Sequence, residues 1–122
     1  MKSILLIDDE PQAVAVFQTA LTSAGYSALV ANAGKKAWEI LKTNSIDVIL
    51  LDMMMPDMSG NDFIKMLKQE DQFKNIPIVI LTNFGNEELV KEAISLGARD
   101  YILKYQASPV DFAEKIKTLL GE

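Results

Sequence analysis

Two stretches of the chain, Val48-Ile49-Leu50-Leu51 and Ile78-Val79-Ile80-Leu81, are apolar at every position. A strand with one wet face alternates apolar and polar residues, because successive side chains point to opposite sides of the sheet. Runs with no alternation belong to strands buried on both faces, which is the environment of a parallel sheet covered by helices on each side. Parallel neighbours in turn need long crossover connections, usually a helix between each pair of strands.

The rest of the chain supplies those connections. Residues 3–7, 27–31, 47–51, 77–81 and 101–103 read as strands, and residues 11–24, 35–42, 61–70, 87–96 and 108–120 as helices. Pro11 suits the first turn of the first helix and Gly25 ends it; Gly97 ends the fourth, and Ser108 with Pro109 starts the last. Ala37, Ile40 and Leu41 share one face of the second helix, and Phe63, Ile64 and Leu67 one face of the third. Strand then helix therefore recurs five times. Right-handed crossovers turn this order into a doubly wound α/β fold with a five-stranded parallel sheet between two helix layers. No linker or low-complexity tract interrupts it, so residues 1–122 read as one domain.

Composition excludes several chemistries. The chain has no cysteine and no histidine, which removes disulfides, thiolate metal sites, cysteine nucleophiles and imidazole acid–base catalysis. Lack of a disulfide framework fits a cytoplasmic location. A net charge of −5 argues against a nucleic-acid surface. The apolar start of the chain is too short for a signal peptide or a membrane span.

In sheets of this kind ligands bind beyond the carboxyl ends of the strands. Asp8 and Asp9 follow the first strand, Asp52 the third, Thr82 and Asn83 the fourth, and Lys104 the fifth. Taken singly, such residues are commonly turn formers, helix caps or solvated charges. Together they place three carboxylates, a hydroxyl and an amine at one edge. At ~4 Å and an effective dielectric near 20, each pair of carboxylates repels by about 4 kcal/mol before screening, which calls for a cation. An oxygen-only donor set in a water-rich site favours Mg²⁺, with Mn²⁺ as a second choice.

The acidic pair Asp8-Asp9, the segment from Asp52 through Pro56 to Gly60, and the residues Thr82, Tyr101 and Lys104 resemble the response-regulator receiver domains of two-component signalling. The resemblance covers the whole chain and implies a chemotaxis-type, flavodoxin-like fold with strand order 2-1-3-4-5. It implies Asp52 as phosphoacceptor and Asp8, Asp9, Asp52 and the Met54 carbonyl as the Mg²⁺ site, with Asp8 acting mainly through water. Lys104 and Thr82 are then partners of the phosphoryl oxygens. Thr82 and Tyr101 form a switch acting on the surface of the fourth helix, fifth strand and fifth helix, where an output protein would bind. A histidine kinase or phosphotransfer protein would dock on the first helix, through Ala13, Val16 and Ala20. These three fall on a different side from the sheet-facing Val14, Phe17 and Leu21, in a segment with no charge between residues 11 and 34.

Some positions depart from the family pattern. Tyr105 stands where a proline joined by a cis bond usually follows the lysine, and Asn83 where a very small residue is usual. Met54 and Phe84 replace polar side chains that often orient the hydrolytic water, so they should exclude water and prolong a phospho-Asp52. A degenerate receiver that binds partners without phosphorylation is the alternative reading. A haloacid-dehalogenase-type phosphatase would need an acid two residues after Asp52, where Met54 stands. A flavodoxin-like cofactor binder would need a phosphate cradle where the repelling Asp8-Asp9-Glu10 stands.

Overall fold

The computed structural model describes residues 1–83, 86–106 and 108–122. Ten elements alternate along the chain: β1 (Ser3–Ile7), α1 (Pro11–Ser23), β2 (Ser27–Ala31), α2 (Gly34–Thr43), β3 (Val48–Asp52), α3 (Gly60–Lys68), β4 (Ile78–Thr82), α4 (Glu87–Ser95), β5 (Asp100–Leu103) and α5 (Pro109–Leu119). The strands form one parallel sheet in the order β2-β1-β3-β4-β5. Both the doubly wound architecture and the strand order agree with the sequence reading.

Alternate residues of each central strand feed two separate cores. Leu5, Ile7, Ile49, Leu51, Ile78 and Ile80 meet α2, α3 and α4 through Leu41, Phe63, Leu67 and Ala93. Ile4, Leu6, Val48, Leu50, Val79 and Leu81 meet α1 and α5 through Phe17, Leu21, Phe112 and Ile116. This two-sided burial is the reason β3 and β4 carry unbroken apolar runs. Each such side chain contributes ~1.5–3 kcal/mol on leaving water. Phe17 and Phe112, with ring centroids 4.6 Å apart, join α1 to α5.

Helix starts follow their local chemistry. The hydroxyls of Ser59 and Ser108 accept hydrogen bonds from the backbone N–H of Asp62 and Asp111, capping α3 and α5. Asp57 caps α2 from a distance: its carboxylate oxygens accept from Gly34 N and Lys35 N, both at 2.9 Å. Those bonds hold its carboxyl below the usual carboxylate range. They also tie the loop after β3 to the second helix.

The first helix requires a correction. Of the three residues assigned to an outward face, Ala13 is 2% and Ala20 8% exposed, and both join the core with Phe17 and Leu21; Val16 alone is exposed, at 50%. Val14, assigned to the sheet-facing side, is half-buried. The cause is that α1 is covered from two directions, by the sheet and by α5, so its buried stripe is wider than one neighbour would demand.

Candidate functional site

β1, β3, β4 and β5 end at the same edge of the sheet. Ile7 pairs with Leu51, Asp52 with Leu81, and Thr82 with Leu103. This register brings Asp8, Asp52, Thr82 and Lys104 to one mouth, although they are far apart in the chain. Gly60 fixes the approach. A Cβ there would lie 2.9 Å from both the Asp52 carbonyl oxygen and Met53 Cα, so only glycine lets α3 begin this close to β3. Gly60 N also donates to the Met53 carbonyl at 2.8 Å.

Lys104 is the hub. Its side chain is buried, and the residue is 4% exposed. Nζ lies 2.6 Å from Glu10 Oε1, 2.9 Å from Asp8 Oδ2, 3.0 Å from Asp8 Oδ1 and 3.3 Å from Asp52 Oδ2. Backbone bonds position the carriers: Lys104 N donates to the Thr82 carbonyl at 2.8 Å and Asp8 N to the Ala31 carbonyl at 3.0 Å. Glu10 N donates to Asp8 Oδ1 at 3.0 Å, curling the loop after β1 over the site.

Asp8, Glu10 and Asp52 each place one oxygen within 4.8 Å of the others. Three carboxylates against one ammonium leave two excess negative charges when all are ionised. Burial is the main force that pushes the Asp52 carboxyl up to about 6; the Asp8 charge adds to it, and Lys104 only partly offsets it. Burial also works against the charged form of Lys104, but its bonds to Glu10 and Asp8 and the charge of Asp52 prevail and raise its pKa above the ordinary lysine value. Lys104 and then Tyr105 hold Glu10 below its ordinary value. Asp8 Oδ2 is close to Lys104 Nζ but off the direction of a hydrogen bond, and no other partner among the described residues bonds it. A buried, anionic, under-bonded oxygen beside two other carboxylates fits a hard cation.

The expected site residues are distributed as follows. Asp8 and Asp52 meet in the cluster. Asp9 is exposed at the rim, and Glu10, unassigned from the sequence, stands in the cluster instead. The only sequence signal for Glu10 was its place in the acidic run after β1. Met54 N donates a long bond, 3.4 Å, to Asp52 Oδ1 while the Met54 side chain lies exposed. Thr82 is buried, and its hydroxyl reaches the Asn83 carbonyl at 3.2 Å and accepts from Asn86 Nδ2 at 3.3 Å, which links β4 to the start of α4. Asn83 is exposed; Phe84 lies outside the described residues. Tyr101 faces outward, 45% exposed, with Lys115 Nζ 5.8 Å from its ring centroid. A cavity of about 320 Å³ between α4 and β5 is lined by Thr82, Asn86, Val90, Tyr101 and Leu103. The described residues contain no cis peptide bond, so Lys104–Tyr105 is trans.

The chain belongs to the response regulator receiver domain family, which it matches over residues 4–117. It is 35% identical over 119 residues to the phosphate regulon transcriptional regulatory protein PhoB of Pseudomonas aeruginosa, covering 98% of this chain and 52% of that protein. It is 37% identical over 120 residues to the response regulator SaeR of Staphylococcus aureus, covering 98% and 51%. The chain thus spans about half the length of these curated relatives. Among solved structures, the chemotaxis response regulator CheY4 of Vibrio cholerae superposes with a TM-score of 0.89 at 27% identity, covering 98% of each chain. A response regulator receiver domain protein from Clostridium thermocellum superposes with a TM-score of 0.86 at 28% identity, covering 99% and 95%. Among the described residues no helix is long and apolar enough to cross a membrane.

Proposed function

We propose that the chain is a phosphoacceptor of a two-component or phosphorelay system, and that Asp52 takes the phosphoryl group. The observation that supports this most is the buried Asp52 carboxylate held 3.3 Å from Lys104 inside an acidic cluster with uncompensated charge. Asp8 and Asp52 would hold a Mg²⁺ ion, joined by the Met54 carbonyl and by Asp9 on rotating in from the rim. Such an ion, when bound, neutralises the charge between a phosphodonor and a carboxylate nucleophile.

In the transfer, an Asp52 carboxylate oxygen forms a bond to phosphorus. The bond from phosphorus to a partner's imidazole nitrogen, or to the acyl oxygen of a small phosphodonor, breaks, and the electron pair leaves with the donor. Lys104 turns its ammonium to the phosphoryl oxygens as a point charge. The Thr82 hydroxyl leaves Asn83 for another of these oxygens, and Tyr101 follows into the cavity between α4 and β5. Output is therefore read on the face of α4, β5 and α5. A protein donor docks on α1, where Val16 stands exposed.

Incubation with acetyl phosphate and Mg²⁺, followed by intact mass, tests the reading. The expected result is one added phosphoryl group, absent in Asp52→Asn and blocked by EDTA. An unmodified chain at high donor concentration rejects it and leaves a binding module that works without phosphorylation.

A further inference from the structure

Tyr105 follows the lysine and makes a bond that neither composition nor strand pattern announces. Its hydroxyl donates to Glu10 Oε2 at 2.6 Å. The other oxygen of the same carboxylate accepts from Lys104 Nζ, also at 2.6 Å. Glu10 is thereby gripped at both oxygens, across 95 residues of chain. The ring of Tyr105 is exposed and joins neither core cluster, so packing does not account for its placement.

The grip matters because of where it leaves the ammonium. Lys104 is 0.7 Å nearer to Glu10 than to Asp52, from 2.6 and 3.3 Å. A half-buried glutamate paired with one lysine gives up side-chain freedom to hold that pair. A second, charge-assisted bond from a tyrosine hydroxyl restrains the glutamate in advance, so less freedom is lost when the pair forms. Lys104 must loosen from Glu10 before it can follow a phosphoryl group onto Asp52. An interaction made in the resting state and lost in the transition state raises the barrier.

The geometry points to Tyr105 as a positioning residue that acts through Glu10 to draw Lys104 towards the β1–α1 loop and slow phosphoryl capture. This rests on the reading of Asp52 as the acceptor. Tyr105 makes no hydrogen bond to Asp8 or Asp52, so its influence passes through the glutamate.

The full chain, Tyr105→Phe, Glu10→Gln and the double variant are phosphorylated with acetyl phosphate at saturating Mg²⁺, and the rates are read by intact mass. Tyr105→Phe should react about three- to tenfold faster, the value of one partly exposed charge-assisted hydrogen bond. Glu10→Gln should be at least as fast, and the double variant no faster than Glu10→Gln. In parallel, the Lys104 ¹⁵Nζ resonance of the metal-free protein should shift in Tyr105→Phe. A Tyr105→Phe rate equal to the parent's, or a double variant faster than Glu10→Gln by the full Tyr105→Phe factor, overturns the inference. If the parent itself takes no phosphoryl group, the acceptor reading fails and the slowing of capture falls with it, while the resonance still decides whether Tyr105 positions Lys104 through Glu10: unmoved, it rejects that role; shifted, it upholds it.

Discussion

Asp52 and Lys104 differ in how well each is compensated. Lys104 has three carboxylates to choose from, whereas Asp52 has one weak share of one ammonium. A carboxyl raised from 3.8 to about 6 favours the folded state while protonated. Its contribution is fully present below about pH 3.8 and is lost as pH rises through 6. Asp52→Asn should therefore stabilise the metal-free protein at pH 8 by about 2–3 kcal/mol, with the advantage shrinking between pH 6 and 4. Urea denaturation in EDTA across that range is the check; equal stabilities at pH 8 would mean the carboxylate is not desolvated. Asp8, Asp52, Thr82 and Lys104 were legible in the sequence because each directly follows or ends a strand with a clear apolar signature. Glu10 and Tyr105 were not, since their part depends on a side-chain bond between distant loops. No periodicity reports such a bond.

Elements position this chemistry through two close approaches. The first is the entry of α3, where Gly60 lies against the backbone of Asp52 and Met53. Backbone atoms cannot step aside as a flexible side chain can. Gly60→Ala should thus cost about 1–3 kcal/mol and, by shifting the end of β3, lower the phosphorylation rate of Asp52 disproportionately. Chemical denaturation and the mass assay would separate the two effects; a normal rate in a destabilised variant would show that the approach is structural only. The second is the packing of α1 on the sheet and α5. Val16→Glu leaves the buried stripe of Ala13, Phe17 and Ala20 untouched. It should abolish transfer from a cognate phosphohistidine protein while acetyl phosphate still modifies Asp52. Loss of both reactions would place the fault in the fold. The true width of the α1 stripe was hidden from the sequence, because it depends on α5, about ninety residues later.

At the scale of the whole molecule, the sheet divides the structure into two cores of different duty. One is closed by α1 and α5 and the other by α2, α3 and α4, and the site opens where the central strands of both run out. Strand order and layering were legible because burial on both faces leaves few topologies. The helix-start and strand-end details shifted by a residue or so: β3 ends at Asp52 and β4 at Thr82, so both candidate site residues sit inside the sheet rather than after it. Mg²⁺ should raise the melting temperature of the parent chain in the millimolar range, as any ligand of the folded state does. Asp8→Asn should blunt that rise. No shift with metal in the parent would show that Asp8 and Asp52 do not share a cation.

The buried ammonium of Lys104 already sits among the carboxylates that a divalent cation would share. Chelation should therefore leave a folded, reloadable protein. Neutralising that one side chain, as in Lys104→Met, should unsettle the mouth far more, on the order of 3–5 kcal/mol, since the orphaned buried anions would face each other uncompensated. The lysine would then be the keystone of the resting state, and the divalent ion only its visitor.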